Sequence, residues 1–179
     1  MVKDKIPKTG ITEKDLFEYM ENSMHSDIDW RSGKTFGAVY YPGEKYSKAI
    51  SNAYIKYMHE NAFDPQLFSS ILTMENELVQ QTASLFSSNQ KLFGNLTSGG
   101  TESIFLSVLS ARNWSNKQKT IKNPEVILSS SAHPAFLKAM NFLRIKPVIV
   151  PTKKDFNLNL NGFKEAINQN TILLVASAP

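Results

Sequence analysis

Residues 92–103 read Leu-Phe-Gly-Asn-Leu-Thr-Ser-Gly-Gly-Thr-Glu-Ser and divide the chain into two patterns. Before them, apolar residues recur at the spacing of amphipathic helices, and after them short apolar runs alternate with helical segments. Leu92 to Leu96 predicts a strand and Thr101 to about Trp114 a helix, with two glycines at the turn between them. Repeated alternation of this kind favours a parallel sheet with right-handed crossovers, an α/β fold.

The rest of the chain repeats the alternation. Further strands are predicted at Glu125 to Ser129, Lys146 to Val150 and Thr171 to Ala176, and helices at His133 to Leu143 and Gly162 to Asn168. The sequence stops just after the last apolar strand. Because a buried parallel strand needs neighbours and covering helices, we expect the sheet to be incomplete, and its exposed edge around Leu173 to Val175 to cause poor solubility or association.

The N-terminal part is organised differently, as amphipathic helices around an aromatic, glycine-rich loop. Its elements are predicted at Thr12 to about Ser23 (helix), 29–43 (ordered loop), 46–58 (helix) and 71–85 (helix, after a break at Pro65). We expect the apolar stripes of these helices to be core. The predicted domains are a helical and loop segment at 1–65 and the first part of the sheet domain at 66–179.

Composition excludes several classes of function. The chain has 179 residues, a net charge of +4 and no cysteine, and its three histidines share no metal-ligand spacing. We therefore expect no metal site and no nucleic-acid partner. A charged N-terminus and the lack of a long apolar run predict a soluble, cytoplasmic chain without a transmembrane segment.

The segment Thr97–Ser103 is the first candidate site. Two glycines allow a tight turn and a close approach to a ligand, the first-turn N–H groups favour an anion, and the hydroxyls of Thr101 and Ser103 add hydrogen bonds. A phosphate-binding loop is one interpretation, and a polar turn that merely starts a helix is the other. His133 follows a strand at the same sheet edge, where it could cover a planar ring, relay a proton or simply cap its helix.

These motifs resemble the sphingosine-1-phosphate lyase family, in the group II decarboxylase branch of the fold-type I pyridoxal-phosphate enzymes. The phosphate loop alone indicates only the wider decarboxylase group, whereas the aromatic loop and the histidine segment favour the lyases. The matching segments are Ile6–Gly10, Trp30–Lys34 with Gly37–Tyr40, Met74–Val79, Thr97–Ser103, Ser131–Ala139 and Asn170–Pro179. The resemblance implies the first part of a fold-type I large domain, a mostly parallel sheet with helices on both faces, after a helical and loop segment.

The resemblance also implies roles for individual residues. Gly100 and Thr101 would bind the phosphate of pyridoxal 5′-phosphate, His133 would stack on its ring, and Tyr40 and Asn61 would face substrate and cofactor. The implied reaction is retro-aldol cleavage of a phosphorylated long-chain base to a fatty aldehyde and ethanolamine phosphate. A base, a buried Tyr or His, takes the proton of the C3 hydroxyl, so Tyr40 and His133 are the catalytic candidates. Family members are homodimers.

Departures from the family pattern qualify this assignment. Asp64 stands where the family has an active-site histidine, and Tyr41 stands where it usually has another. The family's pyridinium-binding aspartate and cofactor-binding lysine match no residue of this chain, so we expect it to be inactive by itself. An amino-acid decarboxylase acting on glutamate or an aromatic amino acid, and a non-catalytic remnant, are the alternative interpretations.

Overall fold

A computed structural model describes residue 6 and residues 8–37, 39–86 and 92–177. The chain forms two compact units, Met1–Ile71 and Leu72–Pro179. Parts of three segments that carry the resemblance, at Pro7, Ala38 and Ala178-Pro179, lie outside the described residues. The functional division predicted at residues 65 and 66 stays a prediction.

The first unit contains the two predicted helices. Helix α1 is Glu13–Met24 and begins as expected at Thr12, whose hydroxyl accepts a hydrogen bond from Asp15 N. Helix α2 is Glu44–Tyr57, and neither helix has a buried residue. The expectation that their apolar stripes form core is therefore wrong for the described part of this unit. Ile50 in α2 remains 62% exposed because nothing in that part of the chain covers it.

The predicted anchoring of the loop between α1 and α2 is made by two of its aromatic residues, Trp30 and Tyr41, whereas Phe36 and Tyr40 are fully exposed. A short 3₁₀ turn, Trp30–Ser32, interrupts the loop. The Trp30 and Tyr41 rings meet edge to face with centroids 5.5 Å apart, and the Arg31 guanidinium lies 4.3 Å from the Trp30 ring centre. The Tyr41 hydroxyl donates to Glu44 Oε2, and this hydrogen bond raises the pKa of Tyr41.

The second unit is a three-stranded parallel sheet. Its elements are α3 (Ser69–Ser84, most of which belongs to this unit), α4 (Gly100–Gln118), β1 (Glu125–Ser129), α5 (Ala135–Leu143), β2 (Lys146–Val150), α6 (Leu160–Ala166) and β3 (Thr171–Val175). The strand order is β2-β1-β3, and β1 is parallel to both neighbours. The predicted β1 and β2 match the structure at both ends.

Helices cover both faces of this sheet, and alternate residues of β1 show it. Val126 and Leu128 belong to a core cluster with Val108 of α4 and Met140 of α5. Ile127 between them points to the opposite face, where it packs with Phe163 of α6. The sheet therefore has α4 and α5 on one side and α6 on the other, which confirms the predicted layering.

The predicted strand at Leu92 to Leu96 is wrong, because these residues pair with no strand among the described part of the chain. Their backbone groups use side chains of α3 instead. Leu96 N donates to Glu75 Oε1 at 3.2 Å, and Leu92 O accepts from Gln80 Nε2 at 3.5 Å. An apolar run shows that a segment can be buried but does not show which partner will satisfy its backbone.

Two predicted helix starts are displaced by capping. Helix α5 begins at Ala135 rather than His133, since the His133 ring accepts a hydrogen bond from Ala135 N. Helix α6 begins at Leu160 rather than Gly162, since the Asn159 side chain accepts from Gly162 N.

A buried carboxylate connects the starts of the three strands. Glu125, 6% exposed, accepts hydrogen bonds from Lys146 Nζ at 2.8 Å and Asn168 Nδ2 at 2.7 Å. Lys146 begins β2, and Asn168 precedes β3. The Asn168 contact first, and then Lys146, lowers the pKa of Glu125.

We expect Glu125→Gln to lower the free energy of unfolding at pH 7 by about 1–3 kcal/mol, the range for a hydrogen-bonded charged group. The pKa of Glu125 is lower in the folded than in the unfolded protein. The stabilisation is therefore fully present at pH values above the unfolded pKa and is lost as the pH falls through the folded pKa. Denaturant unfolding between pH 3 and 7 measures it. The wild-type advantage over Glu125→Gln should disappear in acid, and exposed Glu165→Gln should match wild type throughout. A pH-independent difference would contradict the role of the charge.

Candidate functional site

The glycines before α4 leave open space at the start of the helix. Gly99 is extended, with φ 165° and ψ 174°, and Gly100 is the first residue of α4. A Cβ atom added to either would meet no atom within 4 Å. Neither glycine is therefore required by a tight left-handed turn, which corrects that part of the sequence argument. The other part of that argument still applies: the two glycines leave room for a group from outside this chain to approach the backbone closely.

Internal hydrogen bonds determine which polar groups of Thr97–Ser103 are available. Thr97 Oγ1 donates to Gly99 O at 3.1 Å and lies 2.6 Å from Ser103 Oγ, so the Ser103 hydroxyl donates to Thr97. Ser103, expected to face a phosphate, is thus engaged within the loop. The N–H groups of Gly100 and Thr101 and the Thr101 hydroxyl have no partner among the described residues. These are the donors that an anion would find.

Glu102 is a residue of this loop that the sequence interpretation missed. Its Oε2 accepts hydrogen bonds from Ser98 Oγ at 2.6 Å and Ser98 N at 2.7 Å, which together lower the pKa of Glu102. The carboxylate reaches back from the first helical turn as the glutamate of a capping box does, and a glutamate three residues past the cap was the available signal. This bond holds the loop and leaves Thr101, rather than Ser98, to face a ligand.

His133 lies beyond the carboxyl end of β1 and has a defined capping contact. Its Nδ1 accepts from Ala135 N at 3.1 Å, so a neutral ring with this contact carries its proton on Nε2. Three serines hold the segment between β1 and His133 in place. Ser130 N donates to Val150 O, which extends the hydrogen bonding between β1 and β2 by one residue, and Ser129 Oγ lies 2.9 Å from Ser131 Oγ. His133 therefore caps its helix, as one of the interpretations predicted. Its exposed ring can still offer one face and the Nε2–H group to a ligand.

The structure brings the loop and the histidine segment to the same side of the sheet. Helices α4 and α5 pack against each other and against one face of β1. A cavity of about 260 Å³ lies between them. It is lined by Thr101, Phe105, Ala135, Lys138, Ala139 and Phe142. Thr101 of the loop and Ala135, the residue that the His133 ring caps, thus face one space.

Tyr40 and Asn61 belong to the first unit and are described within it. Tyr40 is fully exposed, so the burial expected of a catalytic tyrosine is not provided by this unit itself. Asn61 Oδ1 accepts from Phe63 N at 3.0 Å, and Asp64 Oδ1 accepts from Gln66 N at 2.9 Å. Both side chains therefore shape the turn after α2.

The donor set at α4 fits a phosphate monoester. It consists of backbone N–H groups at a helix N-terminus, one free hydroxyl and two glycines that leave room for oxygen atoms, and it contains no thiolate or carboxylate cage for a metal. Among the described residues no group of histidines, aspartates and glutamates could hold a metal ion. No helix in the same part of the chain is long and apolar enough to cross a membrane.

No family model matches the chain. Sphingosine-1-phosphate lyase of Oryza sativa is 37% identical over 99% of this chain, which spans 34% of the length of that relative. The solved structure of a Burkholderia pseudomallei sphingosine-1-phosphate lyase superposes with a TM-score of 0.89 at 27% identity, covering 97% of this chain and 42% of the other.

The wider fold is shared with a decarboxylase. Glutamate decarboxylase of Lactobacillus brevis superposes with a TM-score of 0.80 at 18% identity, covering 97% of this chain and 41% of the other. These matches and the parallel sheet with helices on both faces confirm the predicted fold class. The chain spans about a third of the length of the curated lyases that it matches. Over nearly all of its residues the chain is similar in sequence and in fold to sphingosine-1-phosphate lyases.

Proposed function

We propose that this chain forms the phosphate-binding part of a pyridoxal-phosphate-dependent carbon–carbon lyase. The reaction is cleavage of a phosphorylated long-chain base to a fatty aldehyde and ethanolamine phosphate. One observation carries the proposal: Thr101, in the first turn of α4, and Ala135, whose N–H the His133 ring caps, line one cavity between α4 and α5. His133 itself follows the carboxyl end of β1, where parallel sheets bind ligands.

The residues of the second unit would hold the cofactor. The N–H groups of Gly100 and Thr101, with the Thr101 hydroxyl, bind the phosphate, and the His133 ring covers the pyridine. Bound pyridoxal phosphate supplies an electron-poor ring that accepts the electron pair released when the C2–C3 bond of the substrate breaks. His133 cannot accept a proton at Nε2 while its Nδ1 caps Ala135, so its role is to orient the ring.

Residues of the first unit would act on the substrate. With His133 engaged, the Tyr40 phenol oxygen is the candidate to accept the proton of the C3 hydroxyl, provided that Tyr40 is ionised or passes its own proton on. Asn61 would contact substrate or cofactor beside it. Asp64 is oriented by its turn and brings a negative charge where the family has a histidine, which disfavours a phosphorylated substrate if the two lie close.

Further elements of the proposal concern the whole protein. The chain by itself is inactive, because the family's cofactor-binding lysine matches none of its residues. The active enzyme is a cytoplasmic homodimer with sites at the subunit boundary. The uncovered apolar stripes of α1 and α2 favour such an assembly, since exposed apolar surface of this extent is unusual in a monomer.

An amino-acid decarboxylase is the second candidate. The superposition on glutamate decarboxylase extends over nearly the whole chain, and Asp64 removes a histidine expected of the lyases. A non-catalytic remnant that keeps the phosphate loop is the third.

A chimera separates these candidates. The 179 residues replace the matching segment of the rice lyase, and the product is tested for fatty aldehyde release from a phosphorylated sphingoid base and for CO₂ release from glutamate or an aromatic amino acid. We expect aldehyde release within about 10- to 100-fold of the parent and about a 100-fold lower rate in the His133→Ala chimera, the scale of losing one well-positioned group. The unfused chain with added cofactor should release none.

Each other outcome has a meaning. A folded, cofactor-bearing chimera that releases only CO₂ would show a decarboxylase. One that does neither would show a remnant, and turnover by the unfused chain would contradict its proposed inactivity.

A further inference from the structure

The segment that leads into the phosphate loop is held by α3. Residues 92–97 run antiparallel to this helix, so that Leu92 meets Gln80 and Leu96 meets Glu75. Between these contacts the backbone approaches α3 closely, because a Cβ on Gly94 would lie 3.2 Å from Val79 Cγ1. No strand pairs with these residues in the described part of the chain, so α3 takes the place that a neighbouring strand would have.

Glu75 makes the contact closest to the loop. Its Oε1 accepts from Leu96 N at 3.2 Å, immediately before Thr97. The Gln80 contact is weaker, at 3.5 Å, and lies four residues farther from the loop. A charged acceptor also makes a stronger bond than a neutral amide donor, so the Glu75 contact is the stronger of these two polar contacts.

From Leu96, hydrogen bonds continue into the first turn of α4. The next residue, Thr97, donates to Gly99 O and accepts from Ser103 Oγ. The position of Leu96 therefore determines where Thr97 lies, and Thr97 determines where Gly99 and the free N–H groups of the following residues point.

We propose that Glu75 is a positioning residue for the phosphate loop. Its carboxylate fixes the Leu96 N–H, and through Leu96 and Thr97 it sets the direction of the donors of Gly100 and Thr101. Without it, the Leu96 N–H loses its acceptor, and the polar contact between α3 and the segment that lies nearest to the loop is lost. What the loop binds rests on the proposed function, whereas the hold on Leu96 does not.

Two measurements on the full 179-residue chain test this. Amide hydrogen exchange reports the hold on Leu96 and on two bonded amides of the loop, Ser98 N, which donates to Glu102 Oε2, and Ser103 N, which donates to Gly99 O. Titration with pyridoxine 5′-phosphate reports the loop, because this probe has the phosphate and ring of the cofactor but no aldehyde to react with surface lysines. The variants are Glu75→Ala, the conservative Glu75→Gln, which keeps an acceptor oxygen, and Glu77→Ala as an exposed control on the same helix.

We expect Glu75→Ala to exchange Leu96 about tenfold faster and to bind the probe about 3- to 10-fold more weakly, the scale of losing one hydrogen bond to a charged group. In Glu75→Gln, Leu96 exchange and probe affinity should both stay close to wild type, and Glu77→Ala should change neither the exchange nor the affinity. Exchange in β1 should be unaltered in all variants, which separates positioning from general loss of structure.

Two results would overturn the proposal: unchanged Leu96 exchange in Glu75→Ala, or faster exchange that stops at Leu96 while exchange at Ser98 and Ser103 and the affinity for the probe stay as in wild type. If wild type does not bind the probe, the phosphate site of the proposed function fails. The exchange at Leu96, Ser98 and Ser103 then decides alone whether Glu75 positions the loop.

Discussion

Ile127→Ala should lower the free energy of unfolding of the second unit by about 2–5 kcal/mol, the range for truncating a fully buried aliphatic side chain. Ile127 is 0% exposed and lies at the centre of β1, the middle strand of the sheet. It packs with Val150 of β2 and Phe163 of α6, so alanine leaves a cavity between the sheet and its only helix on that face among the described residues. Denaturant unfolding followed by far-ultraviolet circular dichroism measures the change.

Ile149→Ala is the matched control for that experiment. Ile149 is the same residue type on the adjacent strand, but it is 51% exposed. Its truncation should cost less than about 1 kcal/mol, because much less apolar surface returns to water. Equal losses from the two variants would mean that the sheet does not bury β1 as described.

The sheet could be predicted because its strands are short, continuous apolar runs. Glu125–Ser129 is buried at every position and cannot be an amphipathic surface element. Leu92 to Leu96 also begins and ends with apolar residues but forms no strand, and Glu75 and Gln80 of α3 bind Leu96 N and Leu92 O instead. The backbone partner depends on tertiary placement, which local sequence does not encode.

The sequence could predict where the candidate site lies in the fold, but not which hydrogen bonds its side chains make. The order of strands and helices was enough to predict that Thr101 and the histidine segment lie near each other, and Thr101 and Ala135 line one cavity. It could not show that Ser103 donates to Thr97 or that Glu102 binds Ser98, because several hydroxyls of similar reach compete for the same acceptors. It also could not show whether an apolar stripe such as that of α2 is covered.

The second large effect that we expect is on ligand binding, and it follows from the open space at Gly100. Gly100→Ala should weaken binding of pyridoxine 5′-phosphate by about tenfold or more, because a methyl group would occupy space that a phosphate needs to reach the N–H groups, and one such charge-assisted bond is worth about 1.5–3 kcal/mol. The same substitution should leave the free energy of unfolding unchanged or raise it by up to about 1 kcal/mol. Alanine favours the helix, and its Cβ would meet no atom within 4 Å.

Gly162→Ala is the control with the opposite effects, since it should destabilise the fold without weakening the binding of the probe. Its Cβ would lie 2.8 Å from Val150 Cγ1 and 2.9 Å from Asn159 Nδ2, so it should destabilise the fold by about 1–3 kcal/mol through overpacking. Gly162 is on α6, on the face of the sheet opposite to α4, so the affinity of the folded protein for the probe should not change. If Gly100→Ala bound the probe as wild type does, the phosphate would have to lie elsewhere, and the start of α4 would be only a polar helix cap.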